Sequence, residues 1–238
     1  MGARNALVGA VVALAVWAWA AEASLATTVE FYTGVDLWLS SSNAADTGNS
    51  NLGWGRSIGA NARNYDALIK FTDMFGDGAD QIPLGSTISS ADLYMWVYGD
   101  NGLTSSIYEM TFDWNASSTW LSIGSAGGIV PGVNTVPDPE LSWTGAVSGW
   151  HQTSFDLTPS VQDWSDGAAN YGWGFTRPRS GAVTGISFDY STPSYRPYLV
   201  VEFTPAQDPP APVPEPVTAC GLLLGAGSLA TYLRRRRR

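Results

Sequence analysis

Cysteine is all but missing from this chain: Cys220 is the only one. A single thiol makes neither an internal disulfide nor a thiolate metal cluster. Histidine is equally scarce, with His151 alone. That excludes a multi-histidine metal site and weakens any Ser-His-Asp arrangement. Positive charge is short as well. Lys and Arg number 12 against 21 Asp and Glu, for a net charge of −9. An acidic surface repels polyanions, so nucleic acid is excluded as a partner. No GxSxG, HExxH or phosphate-loop pattern occurs, which removes the commonest hydrolase and nucleotide signatures. Between residues 24 and 203 no long 3.6-period run is found, which argues against a helical bundle. What is present is apolar and aromatic: 238 residues, 45% hydrophobic, with 11 Trp and 26 Gly. Such a chain can bury a real core.

Both ends read as targeting segments. The start, MGARNALVGAVVALAVWAWAAEASLA, has Arg4 as a positive n-region and a nearly continuous apolar run over 6–21. Ala21 and Ala23 are small residues at the positions that a signal peptidase reads, so residues 1–23 are expected to be a secretory signal peptide. Cleavage after Ala26 and an uncleaved anchor are the alternatives. At the other end, 217–233 is an uncharged run of 17 residues, the lower limit for a transmembrane helix. Arg234, Arg235, Arg236, Arg237 and Arg238 follow it directly. By the positive-inside rule they stay cytoplasmic, which puts the body of the protein across the membrane. Pro214 and Pro216 break any helix upstream of the span. The proline-rich stretch 204–212 before them reads as an extended spacer.

The order Val213-Pro214-Glu215-Pro216, short apolar helix, terminal arginine cluster resembles a PEP-CTERM sorting signal over 213–238. That family belongs to Gram-negative bacteria. The resemblance implies a partner, an exosortase-type membrane transpeptidase. The enzyme removes the tail and passes the protein from transient anchorage in the inner membrane to the cell surface or extracellular matrix. A plain C-terminal anchor is the alternative. Cys220, inside the span, reads as a small packing residue.

The body, 24–203, is expected to be all-β. Short runs rich in Val, Ile, Tyr, Phe and Trp alternate with Gly, Ser, Asn and Asp clusters. Strands are expected over 35–39, 67–71, 91–98, 107–114, 172–176, 185–190 and 198–203. The run ADLYMWVY (91–98) is apolar on both faces and reads as a central strand. One short helix is expected after Thr158, with Thr158 as cap, Pro159 in the first turn, Val161 and Trp164 facing the core, and Gly167 at its end. Residues 40–64 and 121–150 read as long Gly/Ser/Asn-rich connections, which either carry function or are plain surface loops.

Several segments in order resemble a DNRLRE-type domain, related to the disaggregatase repeat and to an alginate-binding group of carbohydrate-binding modules. They are Val35-Asp36, Asn51-Leu52-Gly53, ALIKFTD (67–73), ISSADLY (88–94), Ser118-Thr119-Trp120, FDLTPSVQDWSDGAANYGWGF (155–175) and YRPYLVV (195–201). The family's naming stretch corresponds here to Tyr65–Phe71. The resemblance covers about residues 29–203 and implies a single jelly-roll β-sandwich in a secreted, polysaccharide-associated protein.

Carboxylates are the first candidates for chemistry. Asp73, Asp77 and Asp80 crowd one segment, and Asp163 and Asp166 another. A glycosidase needs two carboxylates at a set separation in a cleft. No nucleophile–base pairing is readable, so the protein is read as non-enzymatic. Asp36, Asp46 and Asn51, around the loop after the first of those strands, are candidate ligands for a structural Ca2+, a cation that takes six to eight oxygens. They are also ordinary turn residues. Glycan binding needs aromatic faces for sugar C–H groups and planar hydrogen-bonding groups for hydroxyls. Trp96, Trp164 and Trp173 read as core, whereas Trp54, Trp143 and Trp150 lie in Gly/Ser-rich stretches and are the expected carbohydrate-binding rings. Arg63, Lys70 and Arg177 are the expected cations for an acidic polysaccharide, with Arg56 and Arg179 as further cations. Without leader and tail, 6 basic residues face 19 acidic ones, a net charge of −13. The expected function is a non-catalytic, exported module that binds extracellular polysaccharide. A structural surface protein with no specific glycan is the rival, and a lyase or hydrolase the third reading.

Overall fold

Alternation in the apolar runs gives strands, and eleven form among the described residues. They are β1 (Thr27–Phe31), β2 (Gly34–Ser40), β3 (Asn51–Arg56), β4 (Asn64–Phe71), β5 (Thr87–Tyr98), β6 (Thr104–Glu109), β7 (Leu141–Thr144), β8 (His151–Asp156), β9 (Trp173–Thr176), β10 (Ala182–Ile186) and β11 (Tyr198–Thr204). One helix, α1 (Thr158–Ser165), joins β8 to β9. The structure, a computed structural model, describes residues 25–42, 48–57, 60, 62–100, 102–123, 127–145, 148–178 and 181–206. The expected signal peptide, the spacer beyond 206 and the whole sorting tail lie outside the described residues. Among the described residues no helix is long and apolar enough to cross a membrane.

All named strand pairings are antiparallel and link into one sheet. The sheet doubles over. β1, β11, β5 and β8 make one layer. β2, β4, β9, β6 and β7 make the other. β10 and β3 carry the ladder between them, since β10 pairs with β5 and β3 with β4. The layers face each other across one core. Leu93, Met95 and Val97 of β5 share a buried cluster with Ala67, Ile69 and Phe71 of β4, although these strands are not neighbours in the sheet. Burying each large side chain contributes about 1.5–3 kcal/mol, so this cluster is the main driving force for closure. The crossing demands one small residue. A Cβ on Gly185 would lie 2.7 Å from the Met95 sulfur and 3.1 Å from the Trp54 ring.

The expected strands over 35–39, 67–71, 91–98 and 198–203 lie inside observed ones. The expected strand over 107–114 instead ends at Glu109, because Met110 and Trp114 leave to cover the neighbouring layer. The one expected over 185–190 is moved back to Ala182–Ile186. β1, β3, β7 and β8 were not expected as strands. β3 lies inside the stretch 40–64 that reads as loop. α1 forms where expected, with Val161 and Trp164 buried, but Leu157 takes the cap position and makes no side-chain bond. Thr158 is drawn instead to Asp156, donating its hydroxyl (2.6 Å) and its N–H (3.1 Å). Its Oγ1 also accepts from the Ala91 N–H (2.9 Å), tying α1 to β5.

The second long connection, 121–150, is not a loose loop either. Met110, Trp114, Trp120, Ile123 and Ile129 pack onto Leu37, Leu39 and Leu68, the outward residues of β2 and β4. Buried Asp66 accepts the Ile129 N–H (2.9 Å). Asn134 crosslinks the same cover, donating to the carbonyls of Ile123 and Gly128 (the latter 2.8 Å) and accepting from the Val130 N–H (2.8 Å).

Candidate functional site

The outer surface of β5 carries Tyr94, Trp96 and Tyr98 at alternate positions, while Leu93, Met95 and Val97 point inward. Register sets their neighbours. Tyr94 lies between Tyr198 of β11 and Ser154 of β8, Trp96 beside Gln152, and Tyr98 beside Thr184 of β10. The rings pair in three groups along this face. Tyr94 and Tyr198 stack at 4.9 Å and 7°, and Tyr32 stacks on the far side of Tyr198 at 5.5 Å. Tyr195, on the turn before β11, meets Trp96 edge-on at 5.1 Å and Tyr190 at 6.0 Å. Trp150 tilts against Tyr98 at 5.4 Å. Offset and edge-on pairs of this kind add about 0.5–1.5 kcal/mol each, so the rings hold one another in place.

Trp96, Trp150, Ile186, Tyr190 and Tyr195 line a cavity of about 220 Å3. Pockets that enclose a drug-sized ligand run to about 300–1,000 Å3, so this one suits a single ring. Tyr32, Tyr98, Trp150 and Tyr195 are 56%, 48%, 47% and 41% exposed, which leaves their faces or edges in water. Arg196, which follows Tyr195, donates its Nε–H to the Tyr190 carbonyl (2.7 Å). Gln152 donates toward the Tyr198 hydroxyl (3.4 Å). Sequence reasoning placed Trp96 in the core and missed the tyrosines. Their signal was the alternation within ADLYMWVY, which does not say which side meets water.

The expected carbohydrate-binding residues are scattered. Trp150 alone of the three expected tryptophans is on the exposed face. Trp54 is corrected: it lies on β3, is fully buried and donates its indole N–H to buried Ser105 (2.9 Å). Trp143 is corrected too, being half-buried against Phe155 at 4.5 Å and Trp54 at 6.2 Å. Trp54 presents no face to a ligand, and Trp143 turns part of its ring into the space between the layers. Arg63 is exposed before β4, with its backbone N–H on the Ser57 hydroxyl (2.9 Å). Lys70 is engaged by Asp113 at 2.8 Å and by the Trp114 ring at 5.2 Å. Arg177 is 5% exposed and packs over Gly55, and burial lowers its pKa. The expected cations therefore do not converge on one surface. Arg56 ends β3 and is exposed, and Arg179 lies outside the described residues.

The calcium candidates divide similarly. Asp36 accepts from the Ser187 hydroxyl (3.1 Å) and the Phe188 N–H (2.6 Å), which fastens β2 to the segment after β10. Asn51 opens β3 opposite Ile186. Asp46 and the sorting residues Val213, Pro214, Glu215, Pro216 and Arg234–Arg238 lie outside the described residues. Among the described residues no group of three or more His, Cys, Asp or Glu is placed to hold a metal ion. Each Asp36 oxygen thus accepts one protein donor, while a Ca2+ site gathers six to eight oxygens.

Two carboxylates absent from the sequence reading are perturbed. Burial is the largest influence on Glu140 and pushes its pKa to about 7, against bonds from Ser160 (3.0 and 2.8 Å) and the Trp173 indole (3.1 Å). Glu109 is raised by burial while accepting from the Trp164 indole (2.7 Å). Both border a cavity of about 270 Å3 with Asp138 and Asp163. Their oxygens face the roots of α1 and β9, an arrangement that anchors the helix. His151 is half-buried, 3.5 Å from buried Asp100.

The chain matches no protein-family model and no curated protein.

Proposed function

We propose that this is an exported surface or matrix protein whose jelly-roll-type β-sandwich binds polysaccharide without catalysis. The observation that carries the reading is the exposed aromatic face of β5 with its ring-sized cavity between Trp96, Trp150 and Tyr195. Flat rings pack against sugar C–H faces, and neutral amide and hydroxyl groups such as Gln152, Ser154 and Thr184 suit sugar hydroxyls. The order of segments that resembles a DNRLRE-type domain supports the jelly-roll assignment. The leader and the PEP-CTERM-like tail support export, transient anchorage and processing by an exosortase-type transpeptidase. The rival, a structural surface protein with no glycan ligand, separates from this reading by retention on a panel of neutral and acidic polysaccharides. The full chain is retained on at least one, and Trp150→Ala abolishes it; no retention on any overturns the reading. Replacing Pro214-Glu215-Pro216 by alanines is expected to leave the tail uncleaved in the exporting cell, and normal processing overturns the sorting assignment.

A further inference from the structure

We propose that the aromatic face of β5 selects uncharged polysaccharides and turns away polyanionic ones. This rests on the glycan-binding reading and narrows it to one ligand class. Charge placement carries it. The four strands of this layer, β1, β5, β8 and β11, contain no Lys or Arg at all. They do carry acidic residues on the same outward surface as the rings. Asp92 lies one outward position along β5 from Tyr94 and sits directly opposite Asp156 of β8. Glu30 of β1 faces Val200, and Val200 faces Asp92. Outward positions on a strand are about 7 Å apart, so these carboxylates border the aromatic row directly. Burial and the neighbouring Asp156 raise the pKa of Asp92, as a pair of facing like charges must. Arg196, next to Tyr195 in the chain, has its Nε–H on the Tyr190 carbonyl. The remaining described cations stand elsewhere: Arg56 and Arg63 flank the β3–β4 connection, Lys70 is held by Asp113, and Arg177 is buried.

A polymer with a carboxylate on every ring, laid across these rings, meets negative charge within a few ångströms. A neutral chain of the same shape does not. The surface groups beside the rings, Gln152, Ser154 and Thr184, are themselves uncharged and bond hydroxyls.

The test is calorimetry of the full chain in mild detergent with hexamers of two kinds. The neutral probes are β-linked glucose, mannose and xylose oligomers; the anionic probes are mannuronate and galacturonate oligomers. At low salt at least one neutral hexamer is expected to bind about tenfold or more tighter than either anionic one. Raising salt from ~0.01 M to ~1 M shortens the screening length from about 30 Å to about 3 Å and should narrow that gap. The variant Asp92→Asn with Glu30→Gln should narrow it at low salt. Trp150→Ala should weaken the neutral probe about tenfold at an unchanged melting temperature. Anionic hexamers binding as tightly as neutral ones, or tighter, overturn the charge selection and leave glycan binding standing. A gap indifferent to both salt and the carboxylate variant also overturns it. Binding by neither class overturns this inference and the glycan reading together.

Discussion

The two outer faces of the sandwich are made of similar residues and end in opposite surroundings. β2 and β4 send Leu37, Leu39 and Leu68 outward, and the chain after β6 returns to bury them under Trp114, Trp120, Ile123 and Ile129. β5 sends Tyr94, Trp96 and Tyr98 outward, and several rings on that face stay wet. The difference lies in the polar handle. Leucines have none, so leaving them in water forfeits their transfer free energy. Tyr and Trp carry an O–H or N–H that water satisfies, so an aromatic face tolerates exposure and remains available to a ligand. The covered face serves stability, and the open one is the proposed recognition surface.

Breaking the covered face should have the largest effect. Leu68→Ala removes a fully buried side chain beneath the cover and is expected to destabilise by about 3 kcal/mol in urea unfolding. If it costs no more than a surface change, the cover is not a true second core. Next comes pH, which probes the helix anchor beside neither face. Glu140 titrates at about 7 in the fold against an ordinary 4.5. The folded protein holds that proton more tightly than the unfolded chain. Stability from this group is therefore complete below about pH 4.5 and is lost as pH rises through 7, on the order of 3 kcal/mol. Glu140→Gln should flatten this part of the stability profile; an unchanged slope refutes the assignment. Asp66→Ala leaves the Ile129 N–H without its carboxylate and is expected to cost about 1–3 kcal/mol, with faster hydrogen exchange confined to the cover. The smallest stability effect belongs to the open face. Trp150→Ala should shift unfolding by roughly 0.5 kcal/mol or less while removing polysaccharide retention. A large stability loss there would mean that the ring is structural. Chelation of calcium should leave the melting temperature where it was, because Asp36 already has its donors. A clear drop restores a cation to that loop.

Much of the scaffold was legible. The strands around Val35, Ala67, Leu93 and Leu199 announced themselves by β-branched and aromatic runs between turn residues. The helix at Thr158 was fixed by Pro159, Val161 and Gly167, although its cap fell on Leu157 because Asp156 attracts Thr158. β3 was not legible. NLGWGR mixes Gly and polar residues, and only the crossing against β10 and β4 makes it a strand. The positions of the expected rings were mostly not legible. Trp54 and Trp143 sit in Gly- and Ser-rich sequence, which reads as loop, yet Trp54 is buried between the layers and Trp143 turns part of its ring into that space.

What the sequence determined by itself was chemical: an acidic, cysteine-poor chain rich in strand-forming and aromatic residues, with an apolar run near each end. Those features depend on composition and short-range order. Tertiary structure decided which rings are available. A strand such as ADLYMWVY is apolar on both sides, so its alternation separates two faces without saying which one meets water. That choice depends on segments far away in the chain. The residues after β6 cover β2 and β4, and β4 with β9 closes over the inner face of β5. The outer face of β5 is left with the tyrosines and tryptophans whose polar edges can remain in solvent.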